Sequence, residues 1–437
     1  MTFSRFALAV AAALAVADAP AADLVTLYRD ALVSDPLYQA ARAQHQATTE
    51  RLPQARSGYL PQVAGAASIF RNHSERDGAA DRDYNTKTVA ITLSQPVFRL
   101  QNWIAISQAQ KVVLQAEAVL ASAQQDVALR VAQAYFDVLL AQDNVALSQT
   151  QKAAIDQQLA QAKRNFEVGT ATIVDTLEAQ ARFDQAVAKE IADRNDLEVK
   201  RRALQALLGK LPDGLVPLRD PLRLAEPAPN DIEAWVKTAS ESSYSVAIAR
   251  ANYEVALQEI DRQRAGHLPT VDLSGSLARV DNPLTAIPPV SAVSNDASVG
   301  LTLSVPIFSG GLTRSRVREA VALRDRAEQE LENSQRTVAQ SVRASFLNVT
   351  SGIAQVRALE QALVSTQSQL DSTILGRDVG VRTSVDVLNA QQQVFQTRRD
   401  LQQARYNFLL NTLRLKAAAG QLAEDDVAEV NRALGRG

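Results

Sequence analysis

The chain has 437 residues, 22% of them charged, a formal net charge of -2 and no cysteine. That balance offers no basic excess to nucleic acid, and without a thiol there is neither a disulfide nor a lipid carried on a cysteine. His45, His73 and His267 are too far apart in sequence for ligand spacing, and Ser/His/Asp sets and glycine-rich phosphate loops are absent, so no catalytic residue, cofactor or metal site is expected.

The first 22 residues resemble a secretory signal. Arg5 precedes an apolar run from Phe6 to Ala17, and Ala19-Pro20-Ala21-Ala22 offers small residues for cleavage before Asp23. A single membrane anchor is the rival reading, but twelve apolar residues fall short of the roughly 20 that a spanning helix needs. No later segment is long and apolar enough, so any insertion into lipid must use strands.

Beyond the signal, Leu37 to Arg56 is expected as a helix of 20 residues. Val63 to Phe70 is a weak strand, followed by a charged loop from Asn72 to Asn85. Val89, Ile91 and Leu93 then alternate with Thr88, Ala90, Thr92 and Ser94, the period of two that marks a strand apolar on one face. Pro96 stands where this strand should hand over to a helix. From Leu100 to Phe166 there is neither proline nor glycine, and 67 residues at 1.5 Å each make a rod of roughly 100 Å. Its seam runs Ile106, Ala109, Val113, Ala116, Leu120, Ala123, Val127, Val131, Ala134, Val138, Ala141, Val145. The steps alternate three and four, with a stutter at Val127.

A Val168-Gly169 turn leads to a helical stretch from Thr170 to Leu208. Five prolines between Gly209 and Asn230 mark a junction, and Asn230 with Glu233 has the spacing of a capping box. Ser243 to Ala265 is helical. Val271, Leu273 and Leu277, and then Val299, Leu301, Leu303 and Val305, mark two more strands around a polar loop from Asn282 to Asp296. After Pro306, a second long helix runs from Leu312 to Leu375 with only Gly352 inside it. Val379-Gly380 repeats the turn, and Thr383 to Ala419 is the last long helix.

The chain is built twice. LSQPVF (Leu93 to Phe98) returns as LSVPIF (Leu303 to Phe308), and VGTATIVDTLEAQ (Val168 to Gln180) returns as VGVRTSVDVLNAQ (Val379 to Gln391), with eight of thirteen positions identical. The division expected is residues 23–216 and 217–437. In the first copy the shorter helices sum to 59 residues against the 67 of the long one, and in the second to 60. One long helix packed antiparallel to two stacked shorter ones explains those sums; separate helices in an ordinary bundle do not. Four strands cannot close a barrel and lipid does not tolerate open edges, so a spanning sheet requires several chains. A soluble hairpin pair capping the helices is the bland alternative.

Together these residues resemble the TolC family of outer-membrane channel proteins across the whole mature chain. The most specific markers are Leu24 to Pro36 (LVTLYRDALVSDP), Gly266-His267-Leu268-Pro269, Leu303 to Gly311 (LSVPIFSGG), Val379 to Leu388, and Arg405-Tyr406-Asn407. The resemblance implies a mainly α, internally duplicated fold whose four strands per protomer join a twelve-stranded trimeric β-barrel, continued by an α-barrel across the periplasm. It implies a passive exit duct, not an enzyme, placed in outer-membrane lipid and docked to a periplasmic adaptor and an inner-membrane transporter of the ABC or RND type, for type I secretion or efflux. A periplasmic adaptor is the alternative, but that class has one hairpin flanked by glycine-rich β modules. A cytoplasmic coiled-coil scaffold explains neither the signal nor the strands.

Gly169 and Gly380 place both turns at the end of the rod farthest from the strands. By resemblance Asp386 corresponds to a constriction-ring carboxylate, and Asp175 and Arg382 to partners in the pairs that hold the tip shut. Carboxylates gathered in a narrow ring would repel one another, raise their own pKa and attract cations. Asn389 replaces the second ring aspartate of the familiar pattern, and Glu178, its repeat equivalent, is a candidate to return a carboxylate to that level. Arg377 stands in place of a tyrosine, within expected reach of a carboxylate such as Asp175.

Overall fold

The computed structural model describes residues 22–75, 77, 81–170, 172–282 and 293–435. Residues 1–21 of the expected signal lie outside that range, as do parts of both strand-connecting loops. Short helices α1 (Leu24–Ser34), α2 (Pro36–Thr49) and α3 (Arg51–Ser57) lead into β1 (Gln62–Ser74) and β2 (Arg82–Phe98). Helices α4 (Leu100–Glu167) and α5 (Ile173–Leu208) form the first long hairpin. The second copy runs α6 (Ile232–Ser242), α7 (Tyr244–Arg264), β3 (Thr270–Asp281), β4 (Val293–Ser304), α8 (Leu312–Asp378) and α9 (Ser384–Ala418), with a closing α10 (Glu424–Asn431). As the length sums require, α4 packs on α5 along one half and on α2 and α3 along the other, while α8 packs on α9 and α7.

Three local expectations need correction. Leu37 to Arg56 is not one helix: it breaks at Glu50, because Pro53 in the first turn of α3 has no N–H to continue the ladder. The cap of α6 is Asp231 rather than Asn230; Asp231 Oδ1 accepts from the Glu233 N–H at 3.0 Å, and Asn230 donates to Glu226 instead. Pro96 lies inside β2, opposite Asp272, and the ladder shifts register between Pro96 and Phe98, where the proline cannot donate. Pro306 does follow the end of its strand.

The core is a collar at mid-height. Leu24, Leu27, Tyr28 and Ala31 of α1 pack with Val127, Val131, Tyr135 and Val138 of α4, Val342 and Val349 of α8, and Leu409, Leu410 and Leu413 of α9. Fully burying one such side chain is worth roughly 1.5–3 kcal/mol. The seam of α4 is only half-buried at Val113 and Leu120 but buried at Val127, Val131, Val138 and Ala141, so the stutter coincides with entry into the collar. The first and last described segments are tied there. Asn431 Oδ1 accepts from the Leu24 N–H at 3.0 Å, and Leu434 bridges to Leu218. The Arg405-Tyr406 pair is structural: Arg405 reaches Glu360 at 2.9 Å, and the Tyr406 hydroxyl donates to Asp143 at 2.7 Å.

The four strands form one antiparallel sheet in the order β1-β2-β3-β4, which leaves β1 and β4 as free edges. Register puts Val63, Leu93, Gly275 and Val299 in one row and Gly65, Ile91, Leu277 and Ala297 in the next on the same face. The opposite face carries Thr92, Ser276 and Ser298, and the last two hydroxyls share a hydrogen bond of 2.8 Å. Val299 is 84% exposed and Leu301 67%, so one side of the sheet is an uncovered apolar band. Among the described residues no helix is long and apolar enough to cross a membrane.

Candidate functional site: the hairpin tips

Both hairpins turn by the same backbone device. At the end of α4 the Gly169 N–H donates to Phe166 O and the Thr170 N–H to Asn165 O; at the end of α8 the Gly380 N–H donates to Arg377 O and the Val381 N–H to Gly376 O. These are Schellman pairs. They need a left-handed residue, and Gly169 (φ 76°) and Gly380 (φ 81°) supply it without a Cβ penalty.

Each following helix opens with a Thr-x-x-Asp capping box. The Asp175 N–H donates to Thr172 Oγ1 (3.3 Å) while the Thr172 N–H donates to Asp175 Oδ2 (3.0 Å). In the second copy the distances are 3.1 Å for the Asp386 N–H to Thr383 Oγ1 and 2.9 Å for the Thr383 N–H to Asp386 Oδ2. The two expected gate carboxylates therefore also satisfy helix-start N–H groups. The Thr383 N–H, then the Thr383 side chain, hold the Asp386 carboxyl below its ordinary pKa, and the Arg382 charge adds to this. A ring of copies would push the other way.

Arg382, Asp386 and Asn389 share one face of the α9 start with Gln393, and with Gln369, Ser372 and Thr373 of α8 they line a polar hollow. The stem of Arg382 lies against Gly376, where any Cβ would come within 2.8 Å of Arg382 Cγ. Arg377 does not reach Asp175 within the chain: its Nε and Nη2 both donate to Asp378 Oδ1, at 3.0 and 2.7 Å. Asp175 is engaged with Thr172 rather than Arg382 inside one protomer, and Glu178 stands half-buried one turn further along α5.

Arg182 is the residue that sequence reasoning missed. From α5 it reaches across to α9, donating from Nη2 to Asn389 Oδ1 (3.2 Å) and from Nη1 to Gln392 Oε1 (3.1 Å). Ile155 of α4, Ala186 and Leu388 form the apolar patch beneath, and Gln158 bonds Gln391 at 2.8 Å. Asn389 thus serves as the acceptor that joins the two copies. No signal in the repeat pointed to Arg182, because its counterpart in the second copy is Gln393. The two threonine caps, in contrast, recur at the same offset as the turns and were open to recognition.

Residues 27–210 and 235–421 match the family described as outer membrane efflux protein. Outer membrane protein TolC of Vibrio cholerae is 35% identical over 415 residues, which covers 95% of this chain and 94% of that relative. The alkaline protease secretion protein AprF of Pseudomonas aeruginosa is 32% identical, covering 94% and 87%. The solved structure of the outer membrane protein VceC from Vibrio cholerae superposes with a TM-score of 0.77 at 20% identity over 91% of this chain and 96% of that one, a likeness of fold. With its duplicated hairpins, its four-stranded apolar sheet and these matches along nearly its whole length, the chain belongs to the outer membrane efflux protein family.

Proposed function

We propose that the protein is an outer-membrane exit duct. Three copies join their sheets edge to edge into one twelve-stranded barrel, and the paired helices prolong its bore across the periplasm. The duct docks there with an adaptor and an inner-membrane transporter. The observation that carries this reading is the sheet: an uncovered apolar face between two unpaired edges, running directly into helices about 100 Å long. Relatives named for outer-membrane placement and for protease secretion favour export of proteins or small molecules through it.

The tips are the gate. At rest they coil inward, held by Arg382 of one protomer against Asp175 of the next and by Arg182 within each protomer. An exposed ion pair is worth about 0–1 kcal/mol, so a few across three protomers make a latch that a docking partner can undo. The Asp386 copies form the acidic constriction.

Protein extracted from outer membranes should run on unheated SDS gels as a trimer-sized band that collapses on heating. A monomer soluble without detergent would refute the duct. In planar bilayers, Asp175→Ala combined with Arg382→Ala should raise single-channel conductance, and Asp386→Ala should abolish block by multivalent cations added from the tip side. Unchanged conductance removes the latch, and persistent block removes Asp386 from the constriction.

A further inference from the structure

At the far end of the sheet from the helices, the apolar face changes character. Lys87 stands opposite Asp281, Arg71 opposite Asn85, and His73 opposite Asp83, all on the face that carries Val63, Ile91 and Leu277 lower down. The β1–β2 ladder closes at Ser74 opposite Arg82, and just past it Glu75 and Asp81 bring their carboxylates close to the His73 ring.

We propose that His73, Glu75 and Asp81 form a divalent metal-ion site of the zinc class on the outer end of the first hairpin, with Asp83 orienting the His73 ring from its other nitrogen. One ligand atom from each of His73, Glu75 and Asp81 lies within 4.8 Å of the others. His73 Nδ1 is 2.9 Å from Asp83 Oδ1 and Nε2 is 3.4 Å from Glu75 Oε1, so the ring already lies between two carboxylates. Imidazole with carboxylate oxygens suits zinc and its neighbours, at roughly 2.0–2.2 Å from the metal. All four side chains are exposed and sit at strand ends, the three ligands free to close around an ion by small rotations. Among the described side chains, Arg71 has Nη2 4.0 Å from Asp83 Oδ2. Histidine spacing alone hid the site, because two of its three ligands are carboxylates brought in by the hairpin.

The test uses the full-length, tag-free protein in detergent and measures Zn2+ by equilibrium dialysis. One Zn2+ per chain should bind saturably. His73→Ala, and separately Glu75→Gln combined with Asp81→Asn, should each weaken binding at least tenfold, whereas His45→Ala should not. The heat-modified trimer band checks assembly of each variant. Equal Zn2+ binding by the hairpin variants and the unaltered chain would place the metal elsewhere and overturn the proposal. An absence of saturable binding would overturn it too, leaving His73 as a charged partner of its carboxylates.

Discussion

Arg182 shows how much one side chain can decide at the tip. Its two arms span the junction between the copies, and each exposed hydrogen bond there contributes about 0.5–1.5 kcal/mol at most. Arg182→Ala should therefore leave global stability nearly unchanged yet ease opening, seen as longer or larger open events in single-channel records. Arg182→Lys should not restore the closed state, since an ammonium cannot reproduce the forked contact to Asn389 and Gln392. If Arg182→Ala gates like the unaltered channel, the arginine is not part of the latch. Thr383 bears on the neighbouring carboxylate. Asp386 has a depressed pKa in the folded chain, so its contribution is present above the unfolded value near pH 4 and disappears as pH falls through the folded one. Thr383→Ala should cost about 1 kcal/mol and make the α9 tip less sensitive to acid as pH falls below about 4, as followed by hydrogen exchange of its first turn.

Among the elements, the two Schellman turns and the equatorial collar respond differently to substitution. Gly380→Ala forces a Cβ into a left-handed residue at a cost of about 1 kcal/mol, but the space around it is open, so fraying should stay within the α8–α9 tip. Gly420, which follows α9, combines a φ of 72° with a Cβ position that would overlap the Ser242 carbonyl. Gly420→Ala should disturb the collar itself, lowering the yield of heat-modified trimer far more than Gly380→Ala does. The long helices, their lengths and the repeat were legible in the sequence because proline and glycine are absent from 67 residues of the first, proline is absent and glycine rare in the second, and the turns recur almost verbatim. The break at Glu50 and the cap at Asp231 were harder to read, since one depends on where a proline falls within a turn and the other on which of two adjacent side chains faces the helix start. At the tip, Asp386 and Arg382, named by resemblance, line one polar hollow. The partner of Asn389 was not, because the approach of α5 to α9 is set by tertiary packing around Leu388.

At the scale of the whole molecule, a single chain presents unfinished surface on the sheet side of the collar. The β1 and β4 edges are open and the upper seam of α4 is only half-buried at Val113 and Leu120, whereas the collar beyond it is closed. Ile307 and Phe308, 94% and 88% exposed at the foot of β4, belong to the unfinished surface. Replacing both with serine should leave the helical circular dichroism of the chain intact but reduce the trimer band, because the lost apolar contact lies between chains. A trimer of normal abundance would assign them to lipid contact instead. The two bare sheet edges also have a genetic consequence. In the proposed trimer a chain with a sound edge gains nothing from it unless both neighbours are sound, so in cells making equal amounts of normal and edge-defective chains that assemble at random only about one trimer in eight is wholly normal. A harmful allele should then behave as dominant, and export should fall well below half while the normal gene is still fully expressed.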